Sequence, residues 1–90
     1  MSFVDKYPLI RVIKGGPFGT IFEVKEKLNE KNHYALKLMN KKYSKEYEKE
    51  IAVMNNKKIK SIYIIELKDD FYDKKNEGYC IVMELCEEIF

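Results

Sequence analysis

Three of the four glycines lie within five residues, in Lys14-Gly15-Gly16-Pro17-Phe18-Gly19-Thr20-Ile21. Eighteen residues beyond Gly19 a short apolar run carries a single lysine, Tyr34-Ala35-Leu36-Lys37-Leu38-Met39. This spacing constrains the chain to a glycine turn between two strands, with a lysine-bearing strand returning beside them. Glycine has no side chain to hold a ligand off the backbone, so amides of such a turn can approach phosphate oxygens closely. The lysine adds a fixed positive charge for the same oxygens. Together they predict a cleft for a polyphosphate.

Flanking patterns extend the frame. Leu9 to Ile13 is rich in β-branched residues and predicts a first strand, and Ile21 to Lys25 predicts its hairpin partner. Lys27 to Asn32 is a polar turn before the third strand, Tyr34 to Met39. A period of two puts Ala35 and Lys37 on one face of that strand, with Tyr34, Leu36 and Leu38 on the other. A small residue beside a charged one suits a face that binds something flat and anionic. From Ser44 to about Lys57 the period becomes helical, with Ser44 as N-cap and Glu46 and Glu48 near the positive pole. Tyr43, Tyr47, Ile51 and Met54 form one apolar stripe, read as core packing. Glu50 shares their inward side and needs a cation, since an unpaired buried carboxylate is costly. A fourth strand falls within residues 62–71, with Asp70 as a surface turn residue. Tyr72 to Gly78 is a hydrophilic loop, and Tyr79 to Met83 is a strand buried on both faces.

Ninety residues give one small domain, and an apolar fraction of 46% is ample for a core. Seventeen basic against fifteen acidic side chains leave a net charge of +2, which gives no strong pull toward nucleic acid or anionic membrane. No N-terminal leader pattern and no apolar stretch of spanning length occurs, so the chain is expected to be soluble and cytoplasmic. Cys80, Cys86 and the lone His33 have neither metal-ligand spacing nor a disulfide framework, and both thiols are expected to be reduced. His33 is expected to be exposed and without a role, and Lys41-Lys42 and Lys57-Lys58 to be solvated helix ends.

In this order the landmarks resemble the N-terminal lobe of a eukaryotic-type protein kinase, whose pattern is a G-x-G-x-x-G-x-V loop, a V-A-I-K strand and a helical glutamate. Gly16, Phe18, Gly19 and Ile21 match the second glycine, the tip aromatic, the third glycine and the valine. Tyr34-Ala35-Leu36-Lys37 matches V-A-I-K, Glu50 matches the ion-pairing glutamate, and Ile64-Ile65-Glu66-Leu67 leading to Phe71 is similar to the fourth strand. Tyr79 to Cys86 is similar to the fifth strand and hinge. The resemblance covers about Tyr7 to Phe90 and implies an α+β fold: a five-stranded antiparallel sheet with one αC-like helix, all ninety residues forming one ATP-binding lobe without a C-lobe. It implies that Lys14, Gly15, Gly16, Phe18 and Gly19 fold over the phosphates of ATP. Lys37 would reach the α- and β-phosphates, held by Glu50. Ile13, Ile21 and Ala35 would enclose the adenine, with Met83 as gatekeeper and Glu84 and Cys86 at the adenine edge. Met54 and Leu67 would belong to the apolar column aligning two lobes.

The sequence departs from the family at several points. Lys14 replaces the first loop glycine, costing flexibility or adding charge near the phosphates, and Pro17 removes one amide N–H. The segment after Glu50 lacks the usual His-Pro-Asn. No H-R-D, D-F-G or A-P-E segment occurs, and Asp70-Phe71-Tyr72 is no substitute, because it precedes the hinge. Glu50 pairs either with Lys37 or with neighbouring surface lysines. Two functions follow. One is the ATP-binding lobe of a Ser/Thr kinase, inactive alone, with Mg2+ and protein substrate engaged only in a full-length enzyme. The alternative is a non-catalytic kinase-like lobe whose underside docks on a C-lobe or another protein. Nucleic acid and membrane are not expected partners.

Overall fold

A computed structural model of the chain describes residues 2–55 and 66–85, the side chains of Met54 and Asn55 excepted. Ile64, Ile65, Lys57, Lys58 and Cys86, and the packing of Met54, lie outside the described residues. A short helix α1 (Phe3–Lys6) leads into strands β1 (Leu9–Gly15), β2 (Gly19–Lys25) and β3 (His33–Asn40). A 3-10 turn (Lys41–Tyr43) runs into helix α2 (Ser44–Asn55), followed by β4 (Leu67–Asp73) and β5 (Gly78–Glu84). The strands form one antiparallel sheet in the order β1-β2-β3-β5-β4.

Alternation along β3 divides the core as the period-two pattern requires. Leu36 lies on the outer face with Val24, Cys80, Val82, Phe3 and Tyr7, with Tyr34 and Leu38 packed alongside. Ala35 and Met39 lie on the inner face with Ile81 and Met83, where Tyr43, Tyr47 and Ile51 cover them. The aromatic stripe of α2 thus packs on the sheet as expected. Burial, with a smaller contribution from the charge of Asp73, pushes the Cys80 thiol up to about 12, so it stays protonated and unreactive.

The helix begins differently from the sequence reading. Asn40, not Ser44, caps its entry: the Asn40 side chain accepts from the Lys42 amide, and Ser44 already has helical dihedrals. Ser44 therefore continues a helix that the 3-10 turn started. Tyr72 and Asp73 belong to β4, so the turn before β5 shortens to residues 74–77. Asp70 lies inside β4 rather than in a turn. His33 is exposed as expected, yet its Nδ1 lies 2.9 Å from Glu23 Oε2, so it has a hydrogen-bond partner.

Helix α1 was not foreseen. Ser2 caps it in a reciprocal box with Asp5. It closes the outer face by burying Phe3 against Phe22 and by donating the Phe3 amide to Asp73 Oδ2 at 2.8 Å. Asp73 is 1% exposed and also accepts from the side chain and backbone of Asn76, at 2.7 and 3.0 Å. Burial pushes its carboxyl up, but these N–H donors outweigh burial and hold it below the ordinary carboxylate value. A depressed folded value adds stability above the unfolded pKa of about 3.9 and loses it as pH falls through the folded value. Asp73→Ala is expected to cost about 1–3 kcal/mol at pH 7, by stranding buried donors. In urea unfolding the deficit relative to wild type should shrink below about pH 4.

Candidate functional site

The glycine segment forms a tight hairpin tip. Gly16 N–H donates to Gly19 O at 2.8 Å and Gly19 N–H to Gly16 O at 3.4 Å, leaving Pro17 and Phe18 at the apex. Among the described residues no glycine has positive φ, so the glycines are not required for a left-handed turn. Gly19 is required by proximity instead. It pairs with Met39, and a Cβ there would collide with the Leu38 carbonyl oxygen. At Gly15 an added Cβ would meet nothing within 4 Å, and at Gly16 only the Gly19 oxygen at 3.6 Å. The bare backbone at Gly15 and Gly16 therefore faces open space, as a ligand-approach surface would.

Strand register sets the charges beneath this tip. Lys14 pairs with Ile21, Ile21 with Lys37, and Lys37 with Ile81, so both lysines stand in one row on the inner face. The row and the tip bound a cavity of about 190 Å³, lined by residues 14–19, Ile21 and Lys37. That is below the roughly 300–1,000 Å³ of a small-molecule site. Phe18 leans over the cavity, its ring edge-on to Tyr43 with centroids 5.1 Å apart.

Lys37 Nζ lies 2.5 Å from Glu50 Oε1, so Glu50 pairs with the strand lysine rather than with neighbouring surface lysines. The Lys37 side chain is 20% exposed and that of Glu50 38%. Lys37 lines the cavity, while its partner Glu50 stands outside the lining and is partly exposed to solvent.

The other expected residues are distributed along the same face. Ala35 is fully buried and pairs with Met83, which is 7% exposed. Together they form an apolar floor next to Lys37. Ile13 falls in the register irregularity between Val12 and Lys14 and does not line the cavity. Glu84 ends β5, its N–H committed to the Glu66 carbonyl at 3.1 Å. One feature of this face was missed in the sequence. Glu23, opposite Ala35, is 8% exposed and joins Arg11 Nε at 2.7 Å to His33 Nδ1 at 2.9 Å. Glu23 follows Ile21 by two on the same strand, so the alternation that places Ile21 inward also places this carboxylate inward.

No family model and no curated protein matches the chain. Among the solved structures that do match is the crystal structure of a kinase domain, with a TM-score of 0.72 at 19% identity, covering 89% of this chain. The chain spans 24% of that kinase domain. With strand order β1-β2-β3-β5-β4 and α2 leaning on β3, the chain has the fold of a kinase N-terminal lobe.

The two kinds of glycine differ in their tolerance to substitution. Gly19→Ala is expected to destabilise by about 1–3 kcal/mol, because β2 and β3 must separate to admit the methyl group. Gly15→Ala should change stability by no more than about 0.5 kcal/mol. Paired urea titrations measure both.

Proposed function

We propose that this chain is the ATP-binding lobe of a protein kinase that phosphorylates Ser or Thr hydroxyls. The observation carrying this reading is the Lys37–Glu50 pair at 2.5 Å, set under a glycine hairpin whose outer backbone is open. In this reading Lys37 donates to the α- and β-phosphates. Glu50 keeps the ammonium from swinging into solvent, and Lys14 adds charge at the loop entry. Ile21, Ala35 and Met83 supply the apolar surface for the adenine, with Glu84 and Cys86 at its edge. Phosphoryl transfer depends mainly on positioning and charge stabilisation, and these residues provide the nucleotide half of both.

Among the described residues no group of three His, Cys, Asp or Glu side chains could hold a metal ion. The reading assigns Mg2+, and the residue that orients the substrate hydroxyl, to a second lobe. These ninety residues alone are expected to transfer no phosphate above a Lys37→Met control in a radiometric assay.

Nucleotide binding itself is testable on the chain as it stands. ATP titrated calorimetrically should bind the wild type, and Lys37→Met should weaken binding by about tenfold to a hundredfold, the worth of a charge-assisted hydrogen bond. Equal affinity in both proteins, or no binding by a folded wild type, would refute the proposal. A second reading, a kinase-like lobe that docks on another protein without chemistry, draws on the exposed Leu9, Ile10 and Val12 of the edge strand β1. Concentration-dependent association without ATP binding in sedimentation would favour it.

A further inference from the structure

Tyr47 and Asp70 come together across 23 residues, in a contact that no pattern in the sequence announced. The Tyr47 hydroxyl donates to Asp70 Oδ2 at 2.6 Å. Its ring stacks on Tyr79 of β5, with centroids 4.3 Å apart and planes 17° from parallel. Tyr79 is in turn supported edge-on by Tyr72, its cross-strand partner on β4. Burial, and after it the Asp70 carboxylate, holds the Tyr47 phenol well above its ordinary pKa.

The location of this contact gives it a consequence. Lys37 and Asp70 both pair with Ile81, from opposite sides. They therefore stand in one row on the inner face, separated by two strand spacings, or roughly 10 Å. On α2, Tyr47 and Glu50 are three residues apart and neighbour each other on one helix face. The helix is thus fastened to a single row of the sheet at two points, Glu50 to Lys37 and Tyr47 to Asp70, with fully buried Ile81 between them. One point would leave the helix free to pivot about Lys37. A second point restricts how the helix can pivot about the first.

We propose that Tyr47 is a positioning residue: its hydroxyl, held by Asp70, sets α2 at the angle that brings Glu50 onto Lys37. The effect on nucleotide binding rests on the reading of Lys37 as a phosphate ligand, whereas the effect on the Lys37–Glu50 pair does not. Tyr47→Phe keeps the stack on Tyr79 and removes only the donor. Asp70→Ala removes the acceptor on an exposed side chain, and Asp70→Asn retains one.

The test combines two readouts. The first is the proton–nitrogen NMR signal of the Lys37 ammonium in lysine-labelled protein, with Glu50→Gln defining the unpaired state. Tyr47→Phe and Asp70→Ala should move this signal toward that of Glu50→Gln, and Asp70→Asn should keep it near wild type. The second is ATP affinity, which should fall by about two- to tenfold in Tyr47→Phe and Asp70→Ala, the worth of one hydrogen bond. It should fall no further when either change is added to Glu50→Gln, because the effect passes through Glu50. An unchanged Lys37 signal in folded Tyr47→Phe, or an affinity loss that persists undiminished beside Glu50→Gln, overturns the proposal. If Tyr47→Phe does not fold, Asp70→Ala decides by the same signal. If the wild type binds no ATP, the functional reading fails while the Lys37 signal still decides this one.

Discussion

The ion pair between Lys37 and Glu50 joins the two parts of this fold. The sheet is held by its own ladders, but α2 lies against it through a narrow aromatic and aliphatic stripe, chiefly Tyr43, Tyr47 and Ile51. Apolar contact of this kind is non-directional and would tolerate many helix orientations. A charged hydrogen bond at 2.5 Å between a strand and a helix tolerates few. It also holds Lys37, whose side chain is one-fifth exposed, at the cavity beneath the glycine hairpin. The placement of the helix, fixed together with the Tyr47–Asp70 bond, and the cation at the cavity are therefore linked through this pair.

Register irregularities in the sheet determine which other groups reach the inner face. In β4, Leu67 pairs with Met83 and Asp69 with Val82, so one extra residue enters the strand between them. Unbroken alternation from Leu67 would have turned Asp69, Phe71 and Asp73 inward. With the bulge, Asp70 and Tyr72 face α2 instead, while Asp69, Phe71 and Asp73 meet Tyr7 and Phe3 on the outer face. A similar irregularity between Val12 and Lys14 in β1 brings Lys14 over Ile21 and displaces Ile13 from the cavity. A one-residue shift changes the face of every side chain beyond it.

The outer face has its own closure. Burial raises and the hydrogen bonds of Lys6 and Tyr7 lower the Asp69 carboxyl, and the bonds prevail. Asp73 is held low in the same way by Asn76 and Phe3. Two carboxylates of an edge strand thus tie down the N-terminal helix, covering apolar surface that Phe22, Tyr34 and Phe71 would otherwise expose.

Much of this was legible in the order of the residues. The glycine cluster, the Ala35–Lys37 alternation and the helical stripe of Tyr43, Tyr47, Ile51 and Met54, whose side Glu50 shares, each depend on local periodicity, which a chain carries in its own order. Those features predicted the glycine hairpin, the lysine-bearing strand and the long helix, while the five-stranded sheet followed from the resemblance to a kinase N-terminal lobe. What sequence could not supply were the contacts whose meaning depends on distant partners. Gly19 is glycine because of the Leu38 carbonyl, Asn40 rather than Ser44 caps the helix because a 3-10 turn intervenes, and Asp70 faces Tyr47 because of a bulge. Periodicity assigns a residue to a face only while the pairing register is unbroken, and register is set by how strands meet. The sequence by itself determined the strands, the long helix and the face that carries Ala35 and Lys37, while tertiary packing decided the N-terminal helix, the breaks in register and which polar groups meet.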